Sequence, residues 1–254
     1  MLNILLSNDD GILAPGLMIL KDRLKAFAKV TVMAPETDSS GASSSLSLSS
    51  AIRVKLLAEG YFAVRGTPAD CVHAALSGFL PVIPDMVISG INNRSNLGED
   101  VLYSGTLAAA LEGRHLTYPA LALSMVSATK DPYFETAAEI CVQLINDLIK
   151  HQYQHSGVFN INVPDLPIEQ INGIRLTQVG KRGPSQAIEH GVDPRGGAFF
   201  WLGARGLPIL PLPADSDFAA VAQNFVSVSP VSLDLTDITH FKRMQNLFPL
   251  GDAP

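Results

Sequence analysis

Residues 3–34 read NILLSNDDGILAPGLMILKDRLKAFAKVTVMA and contain three segments with different hydrophobic periodicity. Residues 3–7 form a short apolar run of strand length, and residues 16–28 carry apolar side chains at helical spacing. Residues 30–34 form a second, β-branched run that Pro35 closes. A strand, a helix and a strand joined by short connections make a βαβ unit. Such a unit requires a parallel sheet.

The same alternation continues up to Pro164. Helices are predicted at residues 69–79, 106–114 and 134–150, and strands at residues 85–89, 119–125 and 158–163. Repeated βαβ units on one sheet place helices on both of its faces. We therefore predict an α/β fold with a doubly wound, mostly parallel Rossmann-like sheet, and we assign it to residues 1–165 as a catalytic domain.

Beyond Pro164 the pattern changes to short runs separated by many prolines and glycines, which is typical of hairpins and extended arms. Residues 166–254 are predicted to form a β-rich C-terminal extension. It returns to a last core strand at 225–229 and ends in a helix near 237–247. A hairpin carrying the apolar side chains of residues 199–202 would expose apolar surface to water on a monomer. We therefore expect this extension to be used for oligomerisation.

The composition excludes several classes of partner. Of the 254 residues, 47% are hydrophobic and 17% are charged, against about 25% charged in an average soluble domain, which indicates a substantial core. The formal net charge is −6, and no basic tract is present. Binding of long nucleic acid or of an anionic membrane surface is therefore not expected.

Features at the N-terminus and the two cysteines favour a cytoplasmic location. The first ten residues have no basic region, and their apolar run ends at Asp9, which does not fit a signal peptide. Cys71 and Cys141 lack metal or redox spacing and are expected to be buried free thiols in a reducing compartment. The longest apolar stretch is interrupted too often to span a membrane.

Two adjacent acids, Asp9 and Asp10, end the first predicted strand. Gly11 permits a turn that can bring both carboxylates to one point, where they would repel each other unless a cation lies between them. Oxygen ligands favour Mg²⁺ or Mn²⁺ over zinc. An isolated Asp-Asp-Gly is also common as a plain capping turn, so the neighbouring loops decide between the two interpretations.

Two further loops follow predicted strands at the same edge of the sheet. Residues 89–98 are rich in asparagine and glycine, and Ser104-Gly105-Thr106 begins a helix, where free N–H groups attract anions. Each alone also fits an ordinary loop or helix cap. Together with the acids they predict a metal and phosphate site. The chain lacks a Walker lysine loop and a dinucleotide glycine fingerprint, so ATP and NAD sites are weak interpretations.

Residues 39–50 contain eight serines in twelve positions. Composition alone favours a flexible linker. The segment begins just past the second predicted strand, however, at the edge where open α/β sheets bind ligands. This position favours a role in the site.

Five motifs follow one another along the chain. They are Ser7-Asn8-Asp9-Asp10-Gly11, Ser40-Gly41-Ala42-Ser43, Gly66-Thr67-Pro68-Ala69-Asp70, Ser89-Gly90-Ile91-Asn92 and Tyr103-Ser104-Gly105-Thr106. Their order and spacing resemble the SurE family of survival-protein phosphatases and nucleotidases, and the resemblance covers nearly the whole chain.

The resemblance implies a hydrolase, an acid-phosphatase-like 5′-nucleotidase that depends on a divalent metal. The expected substrates are nucleoside 5′- and 3′-monophosphates, and short polyphosphate in addition. One divalent cation per subunit, Mg²⁺ or Mn²⁺, is the expected cofactor, and a homodimer or homotetramer is the expected assembly. The alternative is a non-catalytic nucleotide-binding regulatory α/β module.

The resemblance also implies roles for individual residues. The metal ligands would be Asp9, Asp10, Ser40 and Asn92. The phosphate contacts would be Asn96, Ser104, Gly105 and Thr106. Asp9 and Asp10 would be catalytic, with Asp9 the first candidate to accept a proton from the attacking water. An aspartate nucleophile that forms a phosphoenzyme is the alternative mechanism.

Arg94 departs from the family pattern, which usually has glycine two residues after the ligand asparagine. The backbone path of this loop, or its opening to substrate, is therefore expected to differ.

Overall fold

The computed structural model of the chain describes residues 1–127, 129, 131–245 and 247. The strands are β1 (Leu2–Ser7), β2 (Ala28–Pro35), β3 (Arg53–Ala58), β4 (Tyr61–Arg65), β5 (Met86–Asn92), β6 (Ala120–Val126), β7 (Val158–Pro164), β8 (Ile174–Leu176), β9 (Glu189–Val192), β10 (Ala198–Trp201) and β11 (Val226–Val231). The α-helices are α1 (Pro15–Leu24), α2 (Pro68–Ala74), α3 (Gly105–Glu112), α4 (Phe134–Lys150), α5 (Asp217–Ala222) and α6 (Ile238–Met244).

Nine of these strands form one sheet in the order β3-β4-β2-β1-β5-β6-β7-β11-β8. All neighbours from β4 to β7 are parallel, whereas β3 and β11 run antiparallel to β4 and β7. The chain leaves β1 toward β2 on one side and returns on the other side as β5, so the strand order reverses between β1 and β5. Open α/β sheets bind ligands at the carboxyl ends of the strands flanking such a point.

The core lies on both faces of this sheet, and the alternation of side chains along β1 explains why. Ile4 and Leu6 face one side and belong to a cluster that includes Leu20 of α1 and Ile140 of α4. Leu5 faces the other side, in a cluster with residues of α2 and α3. The predicted doubly wound, mostly parallel α/β sheet is confirmed.

The cysteines and the lengths of the helices were also considered in the sequence analysis. Cys71 and Cys141 are buried free thiols, as expected, and burial raises the pKa of both. Within the described ranges, no helix is long and apolar enough to cross a membrane.

The structure departs from the predicted elements near the N-terminus. The first helix was predicted to extend to residue 28, but it ends at Leu24, because Ala28 already pairs with Leu2 in the sheet. The hairpin of β3 and β4 was not predicted. It turns at Gly60, whose φ of 68° suits glycine, and the aromatic and β-branched residues of β4 were its sequence signal.

The C-terminal part joins the main sheet through two strands. The strand predicted at 225–229 is β11, which pairs with β7 and with the short strand β8. Helix α5 was not predicted, because it has only six residues. The predicted terminal helix corresponds to α6, although its residue 246 lies outside the described residues. The division of the chain at residue 165 stays a prediction.

Gly16 provides a test of how α1 packs on the sheet. A Cβ at Gly16 would overlap the carbonyl oxygen of Ile91 and lie 3.0 Å from Cε1 of Phe134. Alanine normally stabilises a helix by about 1 kcal/mol relative to glycine. We nevertheless expect Gly16→Ala to lower the free energy of unfolding by about 1–3 kcal/mol, because backbone cannot move aside as a side chain can. Urea denaturation measures the change.

The matched control is Gly183→Ala, whose added Cβ would lie 3.7 Å from the carbonyl oxygen of Leu207, an ordinary contact. We expect this variant to unfold within about 0.5 kcal/mol of the unmodified chain. A Gly16→Ala variant that is as stable as the control would contradict the packing described for α1.

Candidate active site

Asp9 follows β1 and is buried against the start of α3, with only 4% of its surface exposed. The Thr106 hydroxyl donates a hydrogen bond of 2.6 Å to Oδ1 of Asp9. Gly105 lies so close that a Cβ there would be 2.9 Å from the Cβ of Asp9. The Ser104 hydroxyl oxygen caps the helix by accepting from the Leu107 N–H at 2.9 Å. The predicted phosphate-binding triplet therefore adjoins the first acid.

Asp10 is less buried than Asp9 and faces the loop that follows β5. The Asn93 N–H donates to Oδ2 of Asp10 at 3.1 Å. Asn92 is buried, and its Nδ2 donates to the Arg94 carbonyl at 2.6 Å. Because the amide nitrogen of Asn92 is used in this way, its Oδ1 is the side-chain atom left to accept or to ligate. The structure thus brings Asn92 to the same strand end as the two acids.

The protein compensates the negative charge of these two carboxylates only weakly, and their pKa values show this. Burial raises the pKa of Asp9. Burial and the neighbouring charge of Asp9 raise the pKa of Asp10 to about 6, and Asp38 adds to the shift of both. Exposed Arg94 lowers the pKa of Asp10, but only as a minor contribution. In the part of the chain that the structure describes, no lysine, arginine or histidine forms an ion pair with either acid.

Ser40 is placed near the site but does not touch the acids. The backbone N–H of Ser39 donates to the Asp9 carbonyl at 2.8 Å, which lays this loop on the end of β1. The N–H and hydroxyl of Ser40 both donate to Oδ1 of Asp38, at 2.8 and 2.6 Å. Ser40 is exposed and makes no hydrogen bond to Asp9 or Asp10. Asp38 is therefore its direct partner.

Asn96 is buried in a polar network that sequence reasoning did not anticipate. Its N–H donates to Oδ1 of Asn162 at 2.8 Å, and its Nδ2 donates to the Ser124 hydroxyl at 2.9 Å. Its carbonyl accepts from Nδ2 of Asn160 at 2.8 Å. Part of the hydrogen-bonding capacity of Asn96 is thus used to hold its own loop to β6 and β7, and the rest remains for the predicted phosphate contact.

Asp217 binds the other end of the same loop, and the sequence did not predict this role either. Its carboxylate accepts from the Gly98 N–H at 2.7 Å and from the Gly180 N–H at 3.0 Å. The Phe218 ring packs so closely on both glycines that a Cβ on either would collide with it. Asp217 lies 119 residues from Gly98 in the sequence, and no local pattern signals such a contact.

The oxygen atoms around Asp9 and Asp10 suit a hard cation as ligands. Oδ1 of Asn8 and Oδ1 of Asn93 are buried acceptors without a donor. Among the described residues, no group of three or more His, Cys, Asp and Glu side chains could hold a metal ion, so a cation here would need neutral oxygens besides the two carboxylates. Asn92 and Ser40 offer such oxygens, and an all-oxygen set suits Mg²⁺ or Mn²⁺.

The sequence of this chain is similar to those of known proteins over most of its length. A family model described as "Survival protein SurE" matches residues 4–186. The "5'-nucleotidase SurE" of Legionella pneumophila (strain Paris) is 48% identical over 246 residues, with 97% of each chain covered. The "5'/3'-nucleotidase SurE" of Yersinia pseudotuberculosis serotype O:1b (strain IP 31758) is 47% identical over 240 residues, which covers 94% of this chain and 93% of that protein.

A solved structure agrees with the sequence relatives. The crystal structure of the SurE protein from Aquifex aeolicus matches with a TM-score of 0.84 at 36% sequence identity. The match covers 96% of this chain and 99% of that one. The resemblance seen in the five motifs is therefore confirmed, and the chain belongs to the SurE family.

Proposed function

We propose that the chain is a nucleotidase that hydrolyses nucleoside 5′- and 3′-monophosphates with the help of a divalent cation. The observation that carries the proposal is the pair of buried Asp9 and half-buried Asp10, which forms no ion pair with a described side chain and adjoins the start of α3. The names of the Legionella and Yersinia relatives support the nucleotidase assignment.

In this proposal Asp9, Asp10, Asn92 and Ser40 hold the cation, as Mg²⁺ or Mn²⁺. A cation in such a set polarises the phosphate and lowers the pKa of a water molecule. The Thr106 hydroxyl occupies one oxygen of Asp9 and fixes the orientation of the carboxylate. Asp9 then lies beside the bound water and is placed to accept its proton.

The proposed step is hydrolysis by water. The water oxygen forms a bond to phosphorus, its proton passes to Asp9, and the bond from phosphorus to the nucleoside oxygen breaks. The nucleoside then leaves with a proton from solvent. At the start of α3, the Ser104 hydroxyl hydrogen and the Gly105 N–H would serve the charged phosphate oxygens, whereas buried Thr106 would act through Asp9, to which it donates. Asn96, held by its buried network, completes this side of the site.

The proposed contacts recognise phosphate and no part of a base. We therefore extend the proposal to short polyphosphate, whose terminal group presents the same oxygens. Release of phosphate from tripolyphosphate, measured beside release from adenosine and guanosine monophosphates, compares the two substrate classes directly.

The central prediction concerns the two acids. Asp9→Asn and Asp10→Asn should each lower Mn²⁺-dependent hydrolysis of p-nitrophenyl phosphate and of nucleoside monophosphates by at least about 100-fold, because each removes a ligand and Asp9→Asn also removes the base. Phosphate release is followed at several Mn²⁺ concentrations. Asp22→Asn, which changes an exposed acid on α1, should retain full activity.

Two results would count against this mechanism. Equal phosphate release with and without Mn²⁺ would exclude the cation, and an undiminished rate in Asp9→Asn would exclude the base. A trapped aspartyl phosphate, detected by mass spectrometry after acid quench, would replace attack by water with attack by an aspartate.

The raised pKa of Asp10 predicts how pH affects stability without metal. Between the usual pKa of 3.8 and the folded value of about 6, the folded chain holds a proton that the unfolded chain releases. The stability that this proton gives the folded chain is therefore complete below about pH 4 and is lost as pH rises through about 6. In EDTA, Asp10→Asn should raise the Tm by a few degrees at pH 7.5 and by less at pH 5.

Addition of Mn²⁺ should have the opposite dependence. It should raise the Tm of the unmodified chain more at pH 7.5 than at pH 5, because the cation binds the ionised pair. Scanning calorimetry with and without EDTA at both pH values measures both effects. A Tm of Asp10→Asn that follows the unmodified chain at both pH values would show that Asp10 carries no unfavourable charge.

We further propose a homodimer or homotetramer formed through the C-terminal extension. The hairpin of β9 and β10 exposes consecutive large side chains, with Trp201 70% and Leu202 84% exposed. Phe199 and Phe200 of the same strand are also exposed. Contiguous apolar surface of this kind marks a protein contact.

Light scattering at micromolar concentration tests the assembly. The unmodified chain should have at least twice the mass of one subunit, and Trp201→Ser with Leu202→Ser should shift the protein toward the monomer. Ile168→Ser, which changes one exposed apolar side chain outside the hairpin, serves as control. A monomeric unmodified chain would contradict the proposed assembly.

A further inference from the structure

The motif Gly66-Thr67-Pro68-Ala69-Asp70 has no part in the site as described so far, yet it contains a carboxylate that is only 2% exposed. Asp70 forms a capping box at the start of α2. Oδ2 of Asp70 accepts from the Thr67 N–H at 2.8 Å, and the Asp70 N–H donates to the Thr67 hydroxyl at 3.1 Å. A cap of this kind is complete without any further partner.

Further hydrogen bonds join this cap to the serine loop, residues 39–50. The Ser47 N–H donates to Oδ1 of Asp70 at 2.8 Å, and the Ser47 hydroxyl donates to Oδ2 at 2.7 Å. The Thr67 hydroxyl donates to the Ser45 carbonyl at 2.7 Å. Burial raises the pKa of Asp70, but the hydrogen bonds from Ser47 and Thr67 outweigh burial and leave its pKa below the usual value.

The serine loop has little else to hold it in place. Most of its residues are exposed, and it contains no helix or strand. Its other long-range hydrogen bonds to described residues run from the Ser39 N–H to the Asp9 carbonyl and from the Ser43 hydroxyl to the Leu102 carbonyl, the latter at 2.8 Å. Helix α2 is anchored in the core through residues such as Val72, which is fully buried. Asp70 and Thr67 therefore connect an exposed loop without regular secondary structure to a helix that is anchored in the core.

We propose that Thr67 and Asp70 are positioning residues that hold the serine loop against the end of β1 and so keep Ser40 near the candidate site. The proposal rests on the proposed function in one respect only, the role of Ser40 toward the cation. A loop fixed in advance by a charged acceptor does not have to be ordered when the cation binds, and this favours binding. An ordinary helix cap would have no effect on the site.

Ser47→Ala removes one hydrogen bond to Asp70 and leaves the capping box intact, so it separates the two roles. We expect about a five- to tenfold weaker affinity for Mn²⁺, measured by calorimetry, which corresponds to the net contribution of one ordinary hydrogen bond. The Tm of the metal-free protein should be nearly unchanged. Ser47→Thr keeps the hydroxyl and should restore the affinity. Ser49→Ala, at an exposed serine of the same loop with no side-chain hydrogen bond among those described, is the matched control.

Hydrogen exchange of the metal-free protein gives a readout that needs neither cation nor turnover. Peptides that cover the serine loop should exchange faster in Ser47→Ala and Asp70→Asn than in Ser49→Ala, and peptides of β1 should not change. In hydrolysis assays, Ser47→Ala should raise the Mn²⁺ concentration for half-maximal rate while the rate at saturating Mn²⁺ stays within about twofold.

The outcomes separate this inference from the proposed function. Unchanged loop exchange and unchanged Mn²⁺ affinity in Ser47→Ala would overturn the positioning role, even if Asp70→Asn lowered the Tm or failed to fold. An unmodified chain that releases no phosphate with Mn²⁺ would contradict the proposed function instead. In that case loop exchange and Mn²⁺ affinity, which require no catalysis, would still decide the role of the Thr67 and Asp70 pair.

Discussion

Two adjacent carboxylates that form no ion pair with a described side chain define the physical problem that this fold solves. Asp9 and Asp10 lie at the end of the central strand β1, where burial, first of all, and the charges of neighbouring carboxylates oppose their ionisation. Only a few contacts relieve this, chiefly the Thr106 hydroxyl on Asp9 and the Asn93 N–H on Asp10. The start of α3 and the loop after β5 supply those two donors.

The surroundings of the pair consist mainly of uncharged groups held by hydrogen bonds from distant parts of the chain. Asn162 and Asp217 bind the backbone of the loop after β5 at its middle and at its end. Asp70 does the same for the serine loop from the opposite side of β1. These side chains are buried, so the donors and acceptors of both loops are aligned before any ligand arrives, which is how a polar site becomes preorganised.

Local patterns in the sequence predicted the sheet and the strand ends, because periodicity and turn residues are local properties. Asp9, Asp10 and Asn92 were placed correctly at one edge for this reason. The role of Asp217 could not be predicted, since nothing near it in the sequence indicates Gly98 as its partner. The same is true of Asn162, which with Asn160 is one of two polar residues in a largely apolar strand, and nothing near it indicates Asn96 as its partner.

The serine loop shows a second limit of sequence reasoning. Its composition fits a linker as well as a binding loop, and the difference lies in whether another element supplies acceptors for its N–H groups. Asp70 supplies one, but its motif reads as a helix cap, and a helix cap normally has no further function. Dual use of one carboxylate is visible only in three dimensions.

The hydrogen bond from the Gly98 N–H to Asp217 also affects when the site is completed during synthesis and folding. During synthesis β1, α1 and β2 leave the ribosome early, and domains start to fold from the N-terminus. The loop after β5 acquires its final hydrogen bonds only when Asp217, 119 residues later, has emerged. Contacts so distant in sequence form slowly because of the entropy of closing the intervening chain. The two acids are thus made well before the carboxylate that fixes the end of the neighbouring loop, so a nascent chain carries the chemical groups of the site before the site is complete.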